Sequence, residues 1–160
     1  MLNEIAKQKN ILIVIKPHFA QDTSYLNLKE LSNIVFIDDD FFADNNITSY
    51  EFISSCDALI TDYSSVYFDY LLSDRPVAAV WEDIEDYRKN PGFAIDVDCY
   101  MKAAHKIYAV PDFEDFISQV ANGEDRYRKE RLEINKLVNY SNDGNNAKRV
   151  VDFIVEKAGL

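Results

Sequence analysis

The segment Asp57-Ala58-Leu59-Ile60-Thr61-Asp62-Tyr63-Ser64-Ser65-Val66-Tyr67-Phe68-Asp69-Tyr70 changes character twice. Ala58 to Thr61 is a short apolar run of the kind found in strands buried on both faces of a parallel sheet. Two polar residues then turn the chain, and a helical pattern begins at Ser64 or Ser65 and runs to Leu72. Strand, tight turn and helix make the opening half of a βαβ unit. Comparable runs occur at Ile11 to Ile15, Asn33 to Ile37 and Pro76 to Val80, with a further helix expected from Thr48 to Ser55, capped by Thr48 or Ser49. This alternation predicts an α/β fold, a Rossmann-like doubly wound parallel sheet. After Pro111 three helices are expected to cover it: Asp112 to Ala121 with Asp112 as its cap, Asp125 to Val138, and Asn145 to Lys157. Lys106 to Val110 reads as a short edge strand.

With 160 residues the chain is sized for one domain, 1–160, able to bury about two thirds of its unfolded surface. No repeat or Gly/Ser linker marks a second one. The formal net charge of −11 disfavours nucleic acid as a partner, so an anionic ligand needs a local site of backbone N–H groups and a few cations. Cys56 and Cys99 lie in different segments without a Cys/His pair at metal spacing, and read as packing residues in a reducing, cytoplasmic setting. No apolar run approaches the roughly 20 residues of a membrane span, so any membrane role is expected to be peripheral.

In an open α/β sheet, ligands bind beyond the carboxyl ends of the strands, where a helix start offers free N–H groups and about half a positive charge. The turn at Asp62 to Ser65 is therefore a candidate phosphate site, with serine hydroxyls adding donors. The same residue types serve equally as helix caps, and Asp62 and Asp69 as a cap and a solvent-facing carboxylate. Neither Gly-x-Gly-x-x-Gly nor a Walker A sequence occurs. Asp38-Asp39-Asp40 reads as a solvated acidic turn rather than a cation site, His105 as a surface residue, and Trp81 as packing rather than a base-stacking platform.

Several segments, in order, resemble the C-terminal half of the CDP-glycerol glycerophosphotransferases of teichoic acid synthesis. They are Lys16-Pro17-His18, Thr61 to Tyr70, Asp74-Arg75-Pro76-Val77, Asp83 to Arg88, Pro91 to Asp96, Tyr140 to Gly144 and Arg149 to Asp152. The resemblance implies one half of a GT-B-like fold, holding a CDP-activated donor as substrate and needing no cofactor and no metal. It implies that Ser64 and Ser65 bind the donor diphosphate, with Lys16 and Asp62 beside them, that Arg88 neutralises a phosphate, and that His18 stands by the phosphate under attack. Lys16 replaces the usual arginine, keeping the charge and losing the bidentate fork. Lys89-Asn90-Pro91 replaces a basic residue before Gly92-Phe93.

On this reading the chain is a donor-binding domain of a transferase. It would pass glycerol phosphate, or a related polyol phosphate, from CDP-glycerol to a hydroxyl of a teichoic acid or related polymer. An N-terminal acceptor domain or a partner chain would complete the enzyme and bring it to a primer on a membrane lipid. Two other readings are the donor domain of a nucleotide-sugar glycosyltransferase or epimerase-like protein, and a non-catalytic interaction module of receiver-like architecture. Against the last, Lys16-Pro17-His18 stands where a receiver domain places an acidic pair.

Overall fold

A computed structural model describes residues 1–17 and 31–159, and the expectation for His18 lies outside them. Among the described residues, five short strands are all parallel. β1 (Ile13–Ile15) pairs with β2 (Ile34–Phe36), and β3 (Leu59–Thr61), β4 (Val77–Val80) and β5 (His105–Ile107) form a sheet in that order. The α/β architecture with parallel strands is as the apolar runs predict, though among the described residues the strands form two small sheets. Ile5 of the N-terminal helix and Ile11, just before β1, pack in one cluster with Ala58, Ile60, Ala78 and Ile107 at the three-stranded sheet.

β4 shows why the layer is covered on both faces. Val77 and Ala79 enter one core cluster, with Tyr67, Leu71, Trp81 and Ile134, while Ala78 enters the other, with Ile5, Phe116 and Ile117. Alternate residues of a strand point to opposite faces, so a strand of uniformly small apolar residues fits between two helical layers.

Nine helices pack around or extend from these sheets among the described residues: α1 (Leu2–Gln8), α2 (Asp39–Asn45), α3 (Ser49–Ser55), α4 (Val66–Tyr70), α5 (Ile84–Lys89), α6 (Val97–Tyr100), α7 (Val110–Ala121), α8 (Arg128–Val138) and α9 (Asn146–Ala158). α3 starts as expected: Thr48 accepts from the Glu51 N–H while the Glu51 carboxylate accepts from the Thr48 N–H, a reciprocal capping box. α4 is shorter than the helical pattern suggested, passing into a single 3₁₀ turn at Leu71–Ser73.

Five expectations are corrected. The acidic run is solvent-exposed, as expected, but it starts a helix rather than forming a turn: Asp38 caps α2 by accepting from the Phe41 N–H at 3.0 Å, and Asp39 and Asp40 form the helix's first turn, next to its positive end. Asp112 is not the N-cap of α7, which starts earlier, with Pro111 in its first turn; its carboxylate reaches back to the N–H groups of Tyr108 and Ala109. His105 is buried, its ring between the Asp112 carbonyl at 3.0 Å and the Gln119 amide at 3.2 Å, because β5 turns it under α7. Cys99 is exposed rather than packed, whereas Cys56 is half-buried. Finally, α7 and α8 cover the sheet but α9 does not: none of its residues is buried, and Val150, Val151 and Ile154 face outward.

A buried ionic clasp holds α8 down. The Arg131 side chain is fully buried, and its guanidinium donates to Asp125, to the Asp74 carboxylate at 3.0 Å and to the Asp74 carbonyl at 3.1 Å. Arg128 adds bonds to the same Asp74 carboxylate at 3.0 and 2.6 Å. Arg75 donates to the carbonyls of Ser54 and Cys56 at the end of α3. The Asp74-Arg75 pair is thus occupied in tying α3, α8 and the start of β4 together.

Candidate functional site

The turn between β3 and α4 is built by local bonds. Asp62 Oδ1 accepts from the Ser64 N–H at 2.9 Å, fixing the chain reversal as soon as the strand ends. Ser64 Oγ accepts weakly from the Val66 N–H at 3.4 Å. Ser65 occupies the N-cap position of α4 in a helical conformation and makes no side-chain cap. Both serines are exposed, as is Asp62. The choice left open by residue type is therefore divided among the three: Asp62 stabilises the turn, Ser64 caps poorly, and Ser65 leaves its hydroxyl uncommitted to the helix.

Tyr63 points the other way. Its hydroxyl donates to Asp83 Oδ1 at 2.8 Å, and its ring packs on Tyr87 and Phe93 with centroids 4.7 and 5.2 Å away, and on Trp81 at 6.5 Å. Burial, and then the bond to Asp83 and the surrounding carboxylates, push its phenol above the usual tyrosine range. Trp81 is buried in the core with the Lys106 ammonium 4.1 Å from its ring centroid, as the packing expectation required. Burial lowers Lys106 to about 8.

Arg88 is not a free cation. Its guanidinium forks onto Asp98 at 2.7 and 2.8 Å and reaches Glu85 at 3.5 Å; the Asp98 bond, opposed by desolvation, raises its pKa. Lys16, just past β1, pairs with Asp39 at 2.9 Å. The structure thus brings Asp62, Ser64 and Ser65 together in one turn and connects that turn to the Arg88 helix through Tyr63. Among the described residues, no hydrogen bond or ion pair joins Lys16 to them. Reading residue types alone missed Tyr63, Asp83, Tyr87, Phe93 and Asp98 as parts of this neighbourhood. A tyrosine inside an otherwise polar turn was the available signal.

Among the described residues, no group of three or more His, Cys, Asp or Glu side chains is placed to hold a metal ion, and no helix is long and apolar enough to cross a membrane.

Comparison with known proteins gives a consistent set of relatives, all from Bacillus spizizenii. The chain is 29% identical over 119 residues to a teichoic acid ribitol-phosphate primase, covering 73% of this chain and 30% of the relative. It is 36% identical over 88 residues to a teichoic acid poly(glycerol phosphate) polymerase, covering 54% of this chain and 21% of the relative. It is 32% identical over 131 residues to a teichoic acid poly(ribitol-phosphate) polymerase, covering 78% of this chain and 20% of the relative. The chain therefore spans less than a third of the length of each. No solved structure matches it. The CDP-glycerol:poly(glycerophosphate) glycerophosphotransferase family matches residues 2–156, nearly the whole chain, and the protein belongs to that family.

Proposed function

We propose that this chain is the donor-binding domain of a teichoic acid glycerophosphotransferase, holding CDP-glycerol or a closely related CDP-activated polyol phosphate. The observation behind the reading is the turn from Asp62 to Ser65. It follows a strand of the parallel sheet, is held by Asp62, and presents two exposed serine hydroxyls, one of them making no cap, in a chain that the family matches end to end.

The chemistry suits such a turn. An acceptor hydroxyl attacks the phosphorus bearing the polyol, a new P–O bond forms, the bridging P–O bond breaks, and CMP departs with the bridging oxygen. That reaction needs positioning and neutralisation of phosphate charge more than covalent participation by the protein. In the proposed roles, Ser64 and Ser65 donate hydrogen bonds to the diphosphate, Asp62 holds their backbone in place, and Arg88 exchanges Asp98 for a phosphate oxygen. Lys16 supplies a further positive charge. His18, assigned on the family resemblance, donates a proton or hydrogen bond to departing CMP, an imidazole with an ordinary pKa of about 6.5 being able to do either near neutral pH. The acceptor hydroxyl and the polymer primer on its membrane lipid are assigned to a second domain or partner chain, with membrane association peripheral through it.

Calorimetric titration of the chain with CDP-glycerol, CDP-ribitol, CDP, CMP and UDP tests this, run beside a Ser64→Ala, Ser65→Ala double variant. Cytidine-selective binding that the variant loses is the expected result. Preference for UDP would move the assignment to a nucleotide-sugar donor, and absence of binding to the folded chain would refute a donor site that works in this chain alone.

A further inference from the structure

We infer that Tyr63 is a positioning residue, whose side chain ties the Thr61–Ser65 turn to the helix bearing Arg88 so that the serine hydroxyls and the guanidinium meet a diphosphate as one unit. This rests on the donor-phosphate reading above and adds a component to it.

The other bonds that shape the turn are short-range. Asp62 accepts from Ser64, Ser64 Oγ from Val66, the Ser64 carbonyl from Tyr67 at 3.2 Å and the Ser65 carbonyl from Phe68 at 2.9 Å. Each fixes the shape of the turn, and none fixes where it stands relative to Arg88. Thr61 is held by the β3–β4 pairing, and among the described residues Tyr63 carries the side-chain bond from the turn to the Arg88 helix, through a 2.8 Å hydrogen bond to Asp83. That bond connects the end of β3 to the start of α5, one turn before Arg88.

Asp83 supplies an independent observation. It occupies the N-cap position of α5, where aspartate is among the preferred residues because its carboxylate satisfies free N–H groups. Here the carboxylate makes no side-chain cap and takes the Tyr63 hydroxyl instead. The Asp83 carboxylate is thus committed to the phenol rather than to the N–H groups of its own helix.

The rings complete the connection. Tyr87 precedes Arg88 and packs on Tyr63 from within α5. Gly92, at φ +82°, turns the chain back so that its N–H reaches the Tyr87 carbonyl at 2.7 Å, and Phe93 packs against Tyr87 at 4.8 Å and edge-on to Tyr63. Three rings from three segments thus pack together and link the Arg88 helix to the serine turn, and the hydroxyl–carboxylate bond adds a directional contact between them. The tyrosine hydroxyl remains a donor across the neutral range, because its surroundings disfavour the phenolate.

The test is Tyr63→Phe, which keeps the ring and removes the tie, alongside Asp83→Ala and the double variant, all in the full chain. CDP-glycerol affinity is expected to fall roughly three- to tenfold in each single variant and no further in the double. Without ligand, amide exchange at Ser64 to Phe68 is expected to accelerate while exchange in β4 and α8 stays at the wild-type rate. Wild-type affinity in Tyr63→Phe overturns the inference. So does a loss of affinity accompanied by uniformly faster exchange across the core, which would mark Tyr63 as a stability residue only. A wild-type chain that binds no cytidine diphosphate overturns the donor-phosphate reading, and the inference falls with it; wild-type binding with an unaffected Tyr63→Phe overturns the inference alone.

Discussion

Replacing Asp74 by asparagine isolates the charge of the clasp that holds α8, because asparagine keeps the shape and tolerates the left-handed backbone, φ 50°, found there. In the wild type the fully buried Arg131 donates to the Asp74 carboxylate at 3.0 Å, while the Arg128 partner of the same carboxylate is 61% exposed. The exposed half contributes about 0–1 kcal/mol. The buried half is a charge-assisted bond of about 1.5–3 kcal/mol, and its removal strips one of two counter-charges from a desolvated guanidinium. Asp125 still pairs with Arg131, which limits the cost. Asp74→Asn is therefore expected to destabilise by about 2–3 kcal/mol. The sole tryptophan, Trp81, is buried in the adjacent core and reports urea unfolding by its fluorescence. Arg131→Met removes the buried charge altogether, and in that background Asp74→Asn should cost at least about 1 kcal/mol less. A stability within about 0.5 kcal/mol of wild type, or strictly additive effects, would refute the clasp.

Three further outcomes are expected. Lys106 has its pKa lowered from 10.5 to about 8 by burial, so the unfolded chain binds this proton more tightly between those values. Its unfavourable contribution is complete below pH 8 and fades as pH rises to 10.5; Lys106→Met should gain most over wild type at pH 7 and little at pH 10, measured by urea midpoints, and parallel pH profiles would contradict this. Asp98→Asn releases the Arg88 guanidinium and is expected to tighten CDP-glycerol binding roughly threefold in calorimetry, whereas unchanged or weaker binding would argue against a phosphate role for Arg88. Gly92→Ala imposes a side chain at φ +82°, with the new Cβ 3.4 Å from the Arg88 carbonyl, and should cost about 1–2 kcal/mol in thermal or urea unfolding; a neutral result would show that the turn relaxes freely.

Much of the architecture is local in origin and therefore legible in the chain. β4 is an unbroken run of small or β-branched apolar residues and β3 a short run of Leu, Ile and Thr, and Thr48 with Glu51 three residues later is a start signal for α3 that needs no tertiary contact. The serine turn after β3 and the family it suggests were both contained in the order of residue types. The short helices α1, α2, α5 and α6 were not, since elements of four to seven residues have little periodicity and are held by packing. Only the folded structure could decide pairings between distant residues. Burial of His105 beneath α7, the engagement of Arg88 by Asp98, the occupation of Asp74 by Arg128 and Arg131, and the bond from Tyr63 to Asp83 each join residues separated by at least seven positions. Sequence determined which groups were available for phosphate chemistry, because that depends on residue type and position along strand and helix. Tertiary structure determined which of them were already committed to another partner, because an ion pair or hydrogen bond is decided by distance in space.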